Sequence, residues 1–247
     1  MEITRNTIKL VKSLQQKKFR REHGLFIVEG EKSVLEVLGS TMKIDALFGT
    51  ESFLRVYANH IANNVTQVAA ANEKQLTEMG AYASNNAALA VVEIPEPIPF
   101  ELAAGEYVLV LDDIRDPGNL GTMIRTADWF GVQQIICSTT CVEWHNPKVI
   151  SASMGSFTRI AMHYFVLPEL FTAHNDVRRY GAVLDGDPVH PGTFDTKGGF
   201  LLIGNEAHGI SKEVEQTLTD RISIPRRGEA ESLNAAIACG ILLSQLP

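Results

Sequence analysis

The chain has 247 residues, 45% of them hydrophobic and 21% charged. That balance excludes a disordered or collagen-like chain and allows one large domain or two small ones. A net charge of −7 argues against a uniformly basic nucleic-acid binder, although the distribution of charge matters more than its sum.

No apolar run reaches membrane-span length, and the N-terminus lacks the uninterrupted apolar core of a signal peptide. A cytoplasmic protein with no membrane contact is expected. Cys137, Cys141 and Cys239 form no C-x-x-C pair and read as reduced, buried residues. The histidines show no ligand spacing, so no metal site is expected.

Residues 3–21 hold no acid but seven cations: Arg5, Lys9, Lys12, Lys17, Lys18, Arg20 and Arg21. The run reads either as a solvated helix face or as a phosphate-contacting patch. Short apolar runs then alternate with helical patterns. LFIVEG precedes EKSVLEVLG, KIDALFGT precedes ESFLRVYANHIA, VTQVA precedes NEKQLTEM, and AALAVVEI closes the set. Three prolines between Pro95 and Pro99 mark an extended linker. The expected division is a domain over 1–96, a linker over 97–105 and a second domain over 106–247. Beyond the linker, YVLVLDD, QQIICS, IAMHYF, GAVLDG, GFLLIGNE and RISIP read as strands. NLGTMIRTADWF, NPKVISASMG, PELFTAHNDVRRY, SKEVEQTLTD and LNAAIACGILLSQL read as helices. Such alternation predicts a mostly parallel sheet covered on both faces, with ligands at the carboxyl ends of its strands.

Three polar stretches follow such strand ends. In LDDIRDPGNLGTMIR, Asp116-Pro117-Gly118 reads as a turn and Asn119 as the cap of the next helix. Leu120, Met123, Ile124, Ala127 and Phe130 form its apolar stripe. Arg125 either presents charge in a pocket beside Gly121 or pairs with Asp128 or Asp112. In LLIGNEAHGIS, Ile210 stands where a phosphate-binding loop needs lysine, which leaves a glycine loop with a carboxylate, and Ser211 as a helix cap. No G-x-G-x-x-G occurs, which disfavours a nucleotide-cofactor oxidoreductase. In SIPRRGEAESLNAAIACG, Ser232 reads as the cap of the last helix and Asn234 lies in its first turn.

Together the N-x-G-x-x-x-R helix start, the G-N-E-x-x-G loop and the I-P…E-S-L-N loop resemble the SpoU family of RNA ribose 2′-O-methyltransferases, within the SPOUT superfamily. The N-terminal SLQQKKFRREHGLFIVEGEKSVLEVL resembles that family's substrate-binding domain. Ser151 is a departure, since many members carry an arginine there.

The resemblance implies an α/β fold: a C-terminal parallel-sheet domain tied in a trefoil knot, and a smaller N-terminal α/β domain that binds RNA. It implies S-adenosylmethionine as cofactor, held by Gly204, Ile224 and Leu233, with Leu184 and Gly186 nearby. It implies a homodimer through the C-terminal domain, and a catalytic set of Asn119, Arg125, Glu206, Ser232 and Asn234. In that set Glu206 would pair bidentately with Arg125, while Ser232 and Asn234 orient the arginine and the ribose. A guanidinium rarely gives up its proton, so a clamp on phosphate and developing oxyanion stands beside the role of base. The basic residues from Arg5 to Arg21 would contact RNA phosphates. Ribosomal RNA is the expected target. Transfer RNA, or a catalytically silent RNA-binding protein, are the alternatives.

Overall fold

The computed structural model describes residues 2–62 and 65–247. The chain divides by contact into two compact units. One comprises residues 1–96 with 145–158, and the other 97–144 with 159–247.

The first unit opens with two short helices, α1 (Arg5–Ser13) and α2 (Lys17–His23). Thr4 caps α1 and shares a reciprocal capping box with Thr7. α1 carries Arg5, Lys9 and Lys12 at helical spacing. Its Val11, with Leu14 just beyond, enters a core that includes Ile27, Phe48, Leu76, Met79 and Leu89. Gly24, at φ +66°, ends α2 in the left-handed conformation. There follow β1 (Leu25–Glu29), α3 (Glu31–Leu38), β2 (Ile44–Gly49), α4 (Glu51–Val56), α5 (Ala58–Ile61), β3 (Val65–Ala70), α6 (Glu73–Met79) and β4 (Ala88–Glu93). The strands lie in the order β1-β4-β2-β3, with β4 antiparallel to both neighbours. This corrects the expected mostly parallel pattern for this half. Gly49 lies opposite both Ala70 and Ala88, so β3 ends and β4 begins at the same end of the sheet. The turn back is held by Asn85, whose amide donates to the Ala88 carbonyl and accepts from the Ala87 N–H.

The second unit begins before its first strand. Phe100 of the expected linker packs against His163, Phe165, His174 and Phe200, so the proline-rich segment is anchored by its aromatic end. Then come β5 (Tyr107–Leu111), α7 (Pro117–Trp129) and β6 (Gln134–Ser138). The next helix, α8 (Pro147–Ser153), belongs by contact to the first unit. There Phe157 lies edge-on to Phe26, and Ser151 accepts a 2.9 Å hydrogen bond from the Tyr82 hydroxyl. β7 (Ala161–Phe165), α9 (Leu167–Ala173), β8 (Arg179–Pro188), β9 (Gly199–Ile203), α10 (Lys212–Glu215), β10 (Asp220–Ser223) and α11 (Ala235–Leu243) complete the chain.

The six strands of this unit run in the order β10-β8-β9-β5-β6-β7, and every pair is parallel. β5 and β9 are buried throughout, as a doubly covered sheet requires. Two expected helices are shorter than their patterns. PELFTAHNDVRRY is helical only to Ala173, because Arg179 and Tyr180 open β8. The Arg179 side chain donates to the carbonyls of His174, Val177 and Thr217, fixing the turn there. SKEVEQTLTD is helical only over α10, and Asp220 starts an edge strand. Phe130, assigned to the apolar stripe of α7, falls at the C-cap and is exposed. From the edge strand β10 the chain returns to pack α11 on α7, the helix that follows β5. The knot implied by the resemblance depends on this return.

His145 provides a test of the packing in the first unit. Burial, then the charges of Arg20, Lys17 and Arg21, push its imidazole down to about 3. An unfolded histidine titrates near ~6.5. The folded state therefore holds it neutral. Its contribution to stability is complete above pH ~6.5 and is lost as pH falls from there toward 3, by up to about 1.4 kcal/mol per pH unit. Denaturant unfolding between pH 7 and pH 4.5 should show this slope, and His145→Gln should flatten it. Parallel slopes in the two proteins would contradict the assignment.

Candidate functional site

The carboxyl ends of β5 and β9 are neighbours in the sheet, and each runs into a polar loop. After β5, the backbone of Asp112 donates to the Ile203 carbonyl, extending the ladder by one residue. The buried Asp112 carboxylate accepts from the Ser211 N–H at 2.8 Å. Asp116 then caps α7 by accepting from the Asn119 N–H at 2.8 Å, with Pro117 at the first helical position. The expected cap, Asn119, lies one turn in. That frees its side-chain amide for other work.

The Asn119 amide joins the three polar stretches. Its nitrogen donates to Glu206 Oε1 at 2.5 Å, and its oxygen accepts from Asn234 Nδ2 at 3.0 Å. Asn234 is held in turn as the cap of α11, because its own oxygen accepts from the N–H groups of Ala236 and Ile237. This corrects the assignment of Ser232 as that cap. Ser232 is exposed in the loop before the helix.

Arg125 is exposed on α7 and makes no hydrogen bond or ion pair with any described residue. Neither pairing expected for it forms. Asp128 binds the Arg159 guanidinium at 2.8 Å, and Asp112 is committed to Ser211. The bidentate Glu206–Arg125 pair does not form either; Glu206 accepts from Asn119 instead. The structure thus brings Asn119, Glu206 and Asn234 into contact and leaves Arg125 and Ser232 unattached.

Among the residues expected to hold the cofactor, Gly204 is buried at the end of β9. A Cβ there would lie 2.2 Å from the backbone of Gly209 and Ile210, so no other residue fits. Gly186 is pressed in the same way against the backbone of Arg221 and Ile222, and Ile224, two residues further along, is half-buried. Leu184 is 83% exposed and Leu233 is 45% exposed. Leu233 ends the segment 225–233, whose backbone makes no hydrogen bond to other backbone among the described residues, although the Ala230 carbonyl accepts from the Arg226 side chain. Exposed apolar side chains and a loop backbone outside any helix or sheet ladder suit a nucleoside-like group.

Of the basic residues near the N-terminus, Arg5, Lys9, Lys12, Lys17, Lys18 and Arg21 are exposed. Arg20 is 1% exposed, and its guanidinium donates to the carbonyls of Leu14 and Gln15. It holds the α1–α2 turn and drops out of the surface patch. Among the described residues, no group of three or more His, Cys, Asp or Glu side chains could hold a metal ion. Two further residues at the site, Asp113 and Asn205, were not singled out by the sequence reading. The signal was present in the Asp112-Asp113 doublet and in the asparagine preceding Glu206.

Comparison with known proteins supplies the context. Residues 106–244 match the SpoU rRNA Methylase family, and residues 5–90 match an MRM3-like substrate binding domain. The chain is 28% identical over 237 residues to the 23S rRNA (guanosine(2553)-2′-O)-methyltransferase RlmP of Bacillus subtilis, spanning 95% of this chain and 93% of that protein. A solved TrmH-family structure from Porphyromonas gingivalis is 32% identical with a TM-score of 0.86, covering 100% of this chain and 98% of that one. An AdoMet-bound rRNA methyltransferase from Sinorhizobium meliloti is 30% identical with a TM-score of 0.84, covering 100% of this chain and 95% of that one.

Proposed function

This chain belongs to the SpoU rRNA methylase family, and on that premise we propose that it transfers a methyl group from S-adenosylmethionine to a ribose 2′-hydroxyl of ribosomal RNA. The observation that carries the reading is the Asn119 amide, which ties the three family motifs into one site at the carboxyl ends of β5 and β9. S-adenosylmethionine supplies an already activated sulfonium methyl. The protein's tasks are to place the 2′-hydroxyl in line and to stabilise the charge that develops on it.

Gly204, Ile224 and Leu233, with Leu184 and Gly186, form the surface assigned to the cofactor. Arg125 keeps its planar donor fork free for an anionic group, so it clamps the phosphate beside the reacting ribose and stabilises the oxyanion. Asn119 holds Glu206 in place, and Asn234 fixes Asn119. Ser232 is a further hydroxyl for the ribose in the same loop.

A large RNA needs a second contact surface, and charge distribution supports its location. Residues 1–96 carry eleven basic and eleven acidic side chains, so the whole net charge of −7 falls on the remainder. Within the neutral part, six exposed cations lie in the first 21 residues, free of acids after Glu2. That segment lies within the stretch that matches the MRM3-like substrate binding domain, and it is assigned to RNA phosphates. The match to the SpoU rRNA Methylase family and the likeness to a 23S rRNA methyltransferase favour ribosomal over transfer RNA.

The subunit association is a homodimer through α7 and α11. α11 has no polar side chain between Ala235 and Leu243, and a helix apolar on every side belongs in a buried setting. Yet Ile237 is 56% exposed, and Trp129 at the end of α7 is 84% exposed. A partner subunit covers such a face.

Four outcomes test these readings. Labelled methyl from S-adenosylmethionine should enter ribosomal RNA from cells lacking the protein. Arg125→Lys should retain less than about a tenth of that activity, because lysine keeps charge without the fork. Label confined to transfer RNA would reverse the choice of target, and near-normal turnover by Arg125→Lys would reject the clamp. For the basic patch, replacing Lys17, Lys18 and Arg21 with glutamine should flatten the salt dependence of RNA binding by up to about three counterions. An unchanged slope would leave only a solvated face. Sedimentation should report a dimer that Ile237→Glu shifts to monomer; a wild-type monomer at micromolar concentration would reject the association.

A further inference from the structure

We propose that Asn205 and Asp113 form a latch that positions Glu206 against Asn119, which makes both of them positioning residues for methyl transfer. The inference rests on the methyltransferase reading above.

Asp113 lies at the turn leaving β5 with φ +57°, in the left-handed region where a residue with a Cβ is strained. Such a conformation persists only when its surroundings fix it. Here they do so from two sides. Toward β6, the Asp113 N–H donates to Ser138 Oγ at 2.9 Å. Toward β9, the Asp113 carbonyl accepts from Asn205 Nδ2 at 2.8 Å, and the same nitrogen lies 3.3 Å from the Asp113 carboxylate. Arg115 binds that carboxylate at 2.9 Å.

Asn205 uses both ends of its side chain. The oxygen accepts from the N–H groups of Ala207 and His208, closing the tight turn whose backbone pairs Asn205 with Gly209. An aspartate could supply that oxygen equally well. The nitrogen takes no part in the turn. Its bonds run to Asp113 alone, and they explain why the residue is asparagine.

Asn205 and Glu206 are adjacent, and they hold the stretch after β5 at two points. Asn205 holds Asp113, ahead of the helix cap, and Glu206 holds Asn119, within the helix. The first bond fixes where the two loops stand; the second uses that placement to set the Asn119 amide. Without the first, Glu206 and Asn119 must find each other through a loop that leaves its strained conformation.

The variant that separates the latch from the turn is Asn205→Asp. It keeps the oxygen, removes the donor and sets a second carboxylate opposite that of Asp113. At saturating RNA and cofactor, Asn205→Asp is expected to slow single-turnover methyl transfer about tenfold to a hundredfold, with the KM for RNA unchanged within about twofold. Asp113→Gly tolerates the left-handed backbone and keeps the carbonyl, so it should slow transfer less. Added to Asn205→Asp, it should recover part of the rate by removing the opposed charge.

Amide hydrogen exchange gives a readout that needs no activity. The Asp113 and Asn119 amides should exchange faster in Asn205→Asp, with the melting temperature little changed. A wild-type rate in Asn205→Asp, a loss expressed through the KM for RNA, or a double variant slower than either single would overturn the latch. So would unaltered exchange at Asp113 and Asn119. If the wild-type protein methylates no RNA, the functional reading fails, and the exchange measurement alone decides for or against the latch.

Discussion

One side-chain amide organises the site. Asn119 donates to a carboxylate after β9 and accepts from the cap of α11, so three segments far apart in sequence meet at a single planar group. An amide suits this position because it offers a donor and an acceptor in fixed opposition, which neither a carboxylate nor a hydroxyl can match. The arrangement has a precondition. The Asn119 side chain is free because Asp116, not Asn119, caps α7, accepting from the Asn119 N–H. The cap therefore matters to the site as well as to the helix.

The parallel sheet sets the scale on which this works. β5 and β9 are adjacent and in register from Tyr107↔Gly199 to Leu111↔Ile203, so their loops emerge side by side. Two parallel neighbours place their carboxyl ends at one edge, where antiparallel strands would place them at opposite edges. The C-terminal return then brings a third loop to the same edge. The first unit has no such requirement. Its strands run in mixed directions, and its contribution is a surface of exposed cations on two short helices.

The sequence showed most of the elements and little of their pairing. Fully apolar runs such as YVLVL and GFLLI marked buried strands, and both are buried strands. Their spacing could not show the direction of β4, because period-two alternation is identical in either direction. The pattern over 168–180 reads as one helix, but the chain enters β8 at Arg179. The role of Arg179, binding three carbonyls, depends on a fold that brings Thr217 close. Arg20 shows the same limit: nothing in KKFRREH distinguishes a buried arginine from its exposed neighbours. At the site, motif resemblance named Asn119, Arg125, Glu206, Ser232 and Asn234 as a set; the folded chain joins three of them, with Glu206 bonded to Asn119 where a pair with Arg125 was expected. Residue types can indicate which groups belong together. Which pairs form depends on distances that only the folded chain fixes.

That difference in partner changes the electrostatics. A Glu206–Arg125 pair would cancel both charges, and an exposed pair of this kind contributes only about 0–1 kcal/mol to stability. Assigning the carboxylate to a neutral amide gives up little stability and leaves the Arg125 charge available. Under the proposed clamp, an incoming phosphate would have no resident anion to displace. The other candidate acids are engaged elsewhere: Asp128 by Arg159, Asp112 by a backbone N–H, Asp113 by Arg115 and Asn205, and Asp116 by the start of α7. On an acidic half of the chain, each of these four carboxylates is held in a bond of its own, and Arg125 is paired with none of them.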